Sequence, residues 1–251
     1  LPDGWIGGFV LLVLVFVLSS FLDNIAAALI GATVAKTVFP QVHTGYLAAI
    51  VAASNAGGSG SVVGDTTTTM MWIDGVSPLD VVHAYLAAVP ALVVTGLVAA
   101  RQQHAHAPMR PDPATIGAID WGRLGVVAAL LVVALAANLG VNLRAPELAD
   151  RLPVLGAALW AAIVVSAAYR RPDWHALPAA VTGAVFLLSL VLAASMMPVE
   201  RLPTASSATA LGLGFVSAVF DNIPLTALAL RQGGYDWGGL AYCVGFGGSM
   251  I

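Results

Sequence analysis

The sequence predicts an all-α polytopic membrane protein made of inverted repeats, with re-entrant helical hairpins and discontinuous transmembrane helices. Composition is the first ground: 59% of the 251 residues are hydrophobic and only 9% are charged, a balance typical of chains folded in lipid rather than in water. Spacing is the second. A hydrocarbon core of roughly 30 Å takes about 20 residues of apolar helix per crossing, and several such stretches follow one another with short polar loops between them. The third is a polar word that interrupts two of these stretches, at Asp23-Asn24-Ile25 and at Asp221-Asn222-Ile223.

Residues 5–22 and 25–39 meet at Asp23-Asn24 with no loop between them, so the pair is expected as a hairpin whose tip sits at membrane depth. The stretch Trp5 to Leu22 lacks the basic start and small-residue cleavage site of a signal peptide. Residues 46–72 contain the run Ser54 to Thr69, whose four glycines and row of hydroxyls make poor helix. That run is expected as the unwound middle of a discontinuous span packed beside the first hairpin tip. Residues 81–100 form the next span, and Arg101 to Asp120, with Pro108, Pro111 and Pro113, is the expected solvated linker. Three further spans cover residues 121–139, 154–168 and 176–197. Residues 206–220 and 223–230 meet at Asp221-Asn222, and the second of these arms is too short to cross, which gives a second hairpin. From residue 239 onward runs the second discontinuous helix, broken at Gly245-Ser249. The expected organisation is therefore a first repeat over 1–100, a polar linker over 101–120 and a second repeat over 121–251. With Leu1 first and Met250-Ile251 inside an apolar, Gly-rich segment, the chain is expected to continue at both ends.

The repeat is visible in the letters. Ser19-Ser20-Phe21-Leu22-Asp23-Asn24-Ile25 matches Ser217-Ala218-Val219-Phe220-Asp221-Asn222-Ile223, and downstream Asn55-Ala56-Gly57-Gly58-Ser59 matches Gly245-Phe246-Gly247-Gly248-Ser249. Two words in the same order, both in apolar surroundings, point to duplication. Five crossings between two equivalent hairpins make them enter the membrane from opposite sides. The positive-inside rule then places Lys36, the 101–120 loop and Arg170-Arg171 on the cytoplasmic face.

An Asp in hydrocarbon costs roughly 2.5 to 3.5 kcal/mol on insertion scales, so Asp23, Asp65 and Asp221 need a reason to be where they are. At Asp23 and Asp221 the neighbouring Asn24 and Asn222 supply amide oxygens, Ser19 and Ser217 supply hydroxyls one turn earlier, and interrupted helices free backbone carbonyls. Hard monovalent cations take such oxygens. The candidate site is Asp23, Asn24, Asp65, Asp221 and Asn222, supported by Ser19, Asn55, Gly57, Gly58, Ser59, Ser61, Thr66, Thr67, Thr68, Ser217, Gly247, Gly248 and Ser249. Asp and Asn are also good helix caps, and capping is compatible with ion binding.

Other features carry less. The net charge of −3 comes with dispersed Arg residues and no basic stripe, which excludes nucleic acid as a partner. Cys243 stands alone in an apolar stretch and reads as a packed thiol. His104 and His106 read as loop residues, and His43 and His83 as interfacial, as do Trp5, Trp72, Trp121 and Trp237. The spans hold no nucleophile-base pair and no Cys/His metal set, which argues against an enzyme.

At Asp23-Asn24-Ile25, at Asn55-Ala56-Gly57-Gly58 continuing through Gly64-Asp65-Thr66-Thr67-Thr68, at Asp221-Asn222-Ile223-Pro224-Leu225 and at Gly245-Phe246-Gly247-Gly248-Ser249, the sequence resembles the ion transporter superfamily and within it the NhaD-type sodium/proton antiporters. The resemblance implies two inverted repeats enclosing a transport site near the bilayer middle. It implies exchange of sodium or lithium for protons by alternating access, with sodium held at the residues named above and no cofactor. Related dicarboxylate carriers have neutral groups where this chain has Asp23, Asp65 and Asp221, which argues for a cation over an anion. A sodium-coupled organic-anion or arsenite-type carrier is the alternative within the same fold. The expected partners are the lipid bilayer, monovalent cations and a second copy in a homodimer, and the expected location is a prokaryotic inner membrane.

Overall fold

The computed structural model describes residues 1–109, 120–144, 152–196, 203–247 and 249. Among them every regular element is helical. The chain divides into two units, Leu1–Ala114 with Leu187–Ile251, and Thr115–Phe186. Gly248 and residues 110–119 of the expected linker lie outside the described residues.

The second unit contains α7 (Trp121–Arg144) and α8 (Val154–Ala167), packed together, and the start of α9 (Leu177–Ser195). Asp120, at the head of α7, meets Arg170 at 2.6 Å and Arg123 at 3.5 Å. Its carboxyl is held below the ordinary carboxylate range, first by the Arg123 backbone N–H and then by the two guanidinium charges.

The first unit holds the elements that carry the polar words. Helices α1 (Trp5–Ser19) and α2 (Asn24–Val38) pack together across a four-residue connection. Helix α3 (Thr44–Ser59) is followed by α4 (Thr66–Ile73), the short α5 (Pro78–Val82) and α6 (Tyr85–His106). After α9 come α10 (Ser207–Ser217), α11 (Asn222–Gln232) and α12 (Trp237–Gly247).

Three of these helices start at an aspartate. Asp23 Oδ1 accepts the Ile25 N–H at 2.9 Å, Asp221 Oδ1 the Ile223 N–H at 2.8 Å, and Asp65 Oδ1 the Thr67 N–H at 3.5 Å. Each carboxylate satisfies an otherwise unpaired donor and faces the positive end of the helix dipole, the two reasons Asp is favoured at this position.

The expected unwinding from Ser54 to Thr69 is corrected to a shorter break, Gly60–Asp65, because α3 stays helical through Asn55, Gly57, Gly58 and Ser59. The glycines allow close approach rather than unwinding. A Cβ on Gly57 would lie 2.1 Å from the Phe16 carbonyl oxygen, and one on Gly58 would lie 2.7 Å from the Gly64 carbonyl oxygen. Helices pack closely in lipid through such small residues, since apolar burial there supplies little drive. Likewise α12 stays helical through Gly245 and Gly247.

The expected linker also begins later than its polar letters suggest, for α6 continues to His106. Buried Gln103 explains this: its amide donates to the Gln41 and Ala107 carbonyls at 2.8 and 3.0 Å and accepts the His43 N–H at 2.7 Å. Those bonds tie the last turns of α6 to the start of α3, where His43 Nδ1 caps the helix by accepting the Gly45 N–H.

Among the described residues, Pro78–His106 is the one helical run long and apolar enough on its own to cross a membrane. Its 29 residues reach about 44 Å at 1.5 Å per residue. The 15-residue arms α1 and α2 reach only about 22 Å. Large apolar side chains such as Leu86, Val94, Leu29 and Val165 are more than 60% exposed, the surface expected of a chain surrounded by lipid.

Candidate functional site

The duplicated words occupy equivalent contacts. Buried Ser19 donates to the Ser54 carbonyl at 2.6 Å, and buried Ser217 donates to the Val244 carbonyl at 3.0 Å. Ser54 and Val244 are the residues just before Asn55-Ala56-Gly57-Gly58 and Gly245-Phe246-Gly247-Gly248. A Cβ on Gly57 would strike the Phe16 carbonyl oxygen at 2.1 Å, and one on Gly247 the Gly214 carbonyl oxygen at 2.1 Å. Phe16 and Gly214 each precede the donating serine by three residues. Both the hydroxyl bond and the glycine contact are thus made twice, by matching letters.

The two sets meet. A cavity of about 270 Å³ is lined by Asn24, Ile25, Asp65, Thr66, Ser217, Asp221, Asn222 and Ile223. The cavity brings the starts of α2, α4 and α11 to one place. Asp65 is 3% exposed. Its Oδ2 accepts the Thr67 hydroxyl at 2.7 Å and lies 3.4 Å from where a Cβ on Gly245 would stand. Ser217 is buried with its proton committed to backbone carbonyls, which leaves hydroxyl lone pairs for a cation.

A hydrogen-bond chain sets the neighbouring amide. Asn24 Nδ2 donates to Asn55 Oδ1 at 2.9 Å, and Asn55 Nδ2 donates to Ser249 Oγ at 2.9 Å. Because Asn24 donates through nitrogen, its oxygen is the end left for a ligand. Asn55 and Ser249 thus orient the site rather than line it.

Other expected residues stand further back. Asp23 is exposed and caps α2, though its charge reaches Asp65. The hydroxyls of Ser59, Thr67 and Thr68 donate to Ala56 O, Asp65 Oδ2 and the Ser61 and Asp65 carbonyls, respectively, and Ser61 Oγ accepts the Val63 N–H. Ser19 and the glycines hold helices together. Sequence reading missed Ile25 and Ile223 as walls, although each is the third letter of the duplicated word, and it missed Ser20 and Tyr85, treated below.

Magnitudes decide the sign of the field in the cavity. A helix start carries roughly half a positive charge and its capping carboxylate a full negative one, so each capped start leaves about half a negative charge. Among the described residues no salt bridge reaches Asp23, Asp65 or Asp221. With these carboxylates ionised, the net field would attract cations.

Described residues whose regular elements are all helical, with an apolar exterior and carboxylates at helix breaks, are consistent with the class of α-helical membrane proteins. Two curated relatives agree with that class: proteins of Arabidopsis thaliana named Sodium/proton antiporter 1 and Sodium/proton antiporter 2, each 28% identical to this chain over 98% of its length. The alignments cover 48% and 66% of those proteins, so the chain spans about half to two-thirds of the length of the curated relatives it matches. No protein-family model and no solved structure matches. The names of the relatives describe transporters, not enzymes. Both come from a plant, which gives no support to a prokaryotic inner membrane.

Proposed function

We propose that this chain is the transport core of a sodium/proton antiporter of the NhaD type within the ion transporter superfamily, working by alternating access. The carrying observation is the cavity in which Asn24 and Ile25 of the first word, the whole second Asp-Asn-Ile word and Asp65 converge. In this reading Asp65 and Asp221 are the shared carboxylates. Asn24, Asn222, Thr66 and Ser217 supply neutral oxygens, and Asp23 adds negative charge from behind. Sodium, or lithium, and protons compete for the carboxylates, since a proton on the oxygen removes the charge that holds the ion. The duplicated contacts support two inverted repeats, and the short arms support hairpins that enter without crossing. Elements carrying the site would rock between the two faces of the membrane when either ion, but not neither, is bound.

Sodium added to everted vesicles loaded with a pH-sensitive dye tests this. The wild-type chain should move protons in response, and Asp65→Asn and Asp221→Asn should each cut the response at least about tenfold, the scale of losing one charged ligand. Full responses in both variants sink the assignment. A second reading, a sodium-coupled organic-anion carrier, requires the three Asp caps to be neutral, since only then would three helix starts at one cavity attract an anion. Labelled citrate uptake without sodium-driven proton movement would select it.

A further inference from the structure

Helix α3 ends in a way its own backbone does not satisfy. Were the helix to continue, the Ser61 N–H would bond the Gly57 carbonyl. It bonds the Gly58 carbonyl instead, at 3.1 Å. Two hydroxyls take its place on Gly57: Ser20 Oγ, whose proton is shared between that carbonyl at 3.1 Å and the Phe16 carbonyl at 3.3 Å, and Tyr85 Oη, at the start of α6, which lies 3.2 Å from the Gly57 carbonyl and donates to Ser20 Oγ at 2.8 Å. The Tyr85 ring also covers the first residue of the break, since a Cβ on Gly60 would stand 2.6 Å from three of its carbons. The ring also meets Phe16 at a centroid distance of 5.8 Å, tilted by 49°.

The break beyond is tightly folded. A Cβ on Gly64 would lie 2.3 Å from the Ser19 carbonyl oxygen and 3.0 Å from the Gly58 Cα. The loop therefore turns back onto the ends of α1 and α3 and delivers Asp65, the next residue, to the head of α4. The device belongs to one repeat only, because the position matching Ser20 is Ala218.

We propose that Tyr85, acting with Ser20, is a positioning residue for the cation site: it latches the end of α3 and the Gly60–Asp65 break so that Asp65 faces the cavity. This rests on the exchange reading above. Tyr85 touches neither ion; it sets where Asp65 stands, so losing its hydroxyl weakens sodium binding more than turnover.

Two measurements on the full chain test the latch. In proteoliposomes, Tyr85→Phe should raise the sodium concentration for half-maximal exchange about fivefold and leave the maximal rate within about twofold, the scale of one hydrogen bond. Ser20→Ala should act likewise, and the double variant should add little, since the two groups share one network. In detergent, hydrogen exchange at the Ser61 and Gly64 amides should quicken in both single variants while the rest of the chain is unchanged. An unmoved half-saturation, a loss confined to maximal rate, or unchanged exchange at those amides overturns the latch. A wild-type chain without sodium-driven proton movement overturns the function instead, and the amide measurement still decides the latch.

Discussion

At Asp65 a single hydroxyl separates a cap from a ligand. The Thr67 hydroxyl donates to Oδ2 at 2.7 Å, while the Thr67 N–H reaches Oδ1 at 3.5 Å, so the carboxylate is held in one orientation before any ion arrives. Preorganisation of this kind lowers the cost of binding. Thr67→Val keeps the shape and removes the donor. It should weaken half-saturation by sodium about tenfold, the scale of a hydrogen bond to a charged group, in the vesicle assay; an unaltered value would mean that Asp65 needs no such support. Asp23 differs from Asp65: it is exposed, as Asp221 is, and unlike both it does not line the cavity, although the next two residues of the helix it caps do. Asp23→Asn keeps a capping oxygen and removes charge, so it should reduce exchange less than Asp65→Asn does.

Among the elements, α1 with α3 and α10 with α12 repeat one packing device. Gly57→Ala and Gly247→Ala each push a methyl to within 2.1 Å of a backbone carbonyl oxygen, and neither helix can yield without moving its partner. Each should lower the melting temperature of the purified chain by several degrees, the scale of overpacking at about 1 to 3 kcal/mol. Gly125→Ala and Gly183→Ala, whose methyls meet nothing within 4 Å, should leave it unchanged or raise it. Equal effects across all four would remove the case for a duplicated contact. The device was legible in the letters as a repeated word, and so were the three aspartates at helix breaks, because capping chemistry is local. The reason for the glycines was not legible. Helix breaking and close approach call for the same residue, and only the position of the Phe16 and Gly214 carbonyls tells them apart. Gln103 was hidden for a similar cause: a polar letter among Arg101, Gln102 and His104 reads as solvated, and two of its three bonds, to Gln41 and His43, reach a segment far away in sequence. Tyr85 carries no signal in the letters, since the carbonyl it serves is freed only by the break in α3.

For the molecule as a whole, the proposed competition between two ions at shared carboxylates would fix the direction of the pH response. Where the carboxylates are largely protonated, each tenfold rise in proton concentration should raise the sodium needed for half-saturation about tenfold for every proton that sodium displaces; where they are ionised, sodium affinity should become independent of pH. Asp120, in the other unit, follows ordinary linkage. Its folded carboxyl is depressed, so its contribution to stability is present at neutral pH and fades as acid protonates it. Asp120→Asn should flatten the acid side of the melting curve and leave sodium half-saturation unmoved.

Shared occupancy is tested most directly by titrating the purified chain with sodium in an isothermal calorimeter, in two buffers of unlike ionisation enthalpy, at a pH where the site is partly protonated. Sodium binding should release protons, seen as a buffer-dependent heat, and Asp65→Asn with Asp221→Asn should abolish both binding and release. Sodium that binds with the same heat in both buffers, or that binds unchanged to the doubly substituted chain, would contradict a site held in common by the two ions.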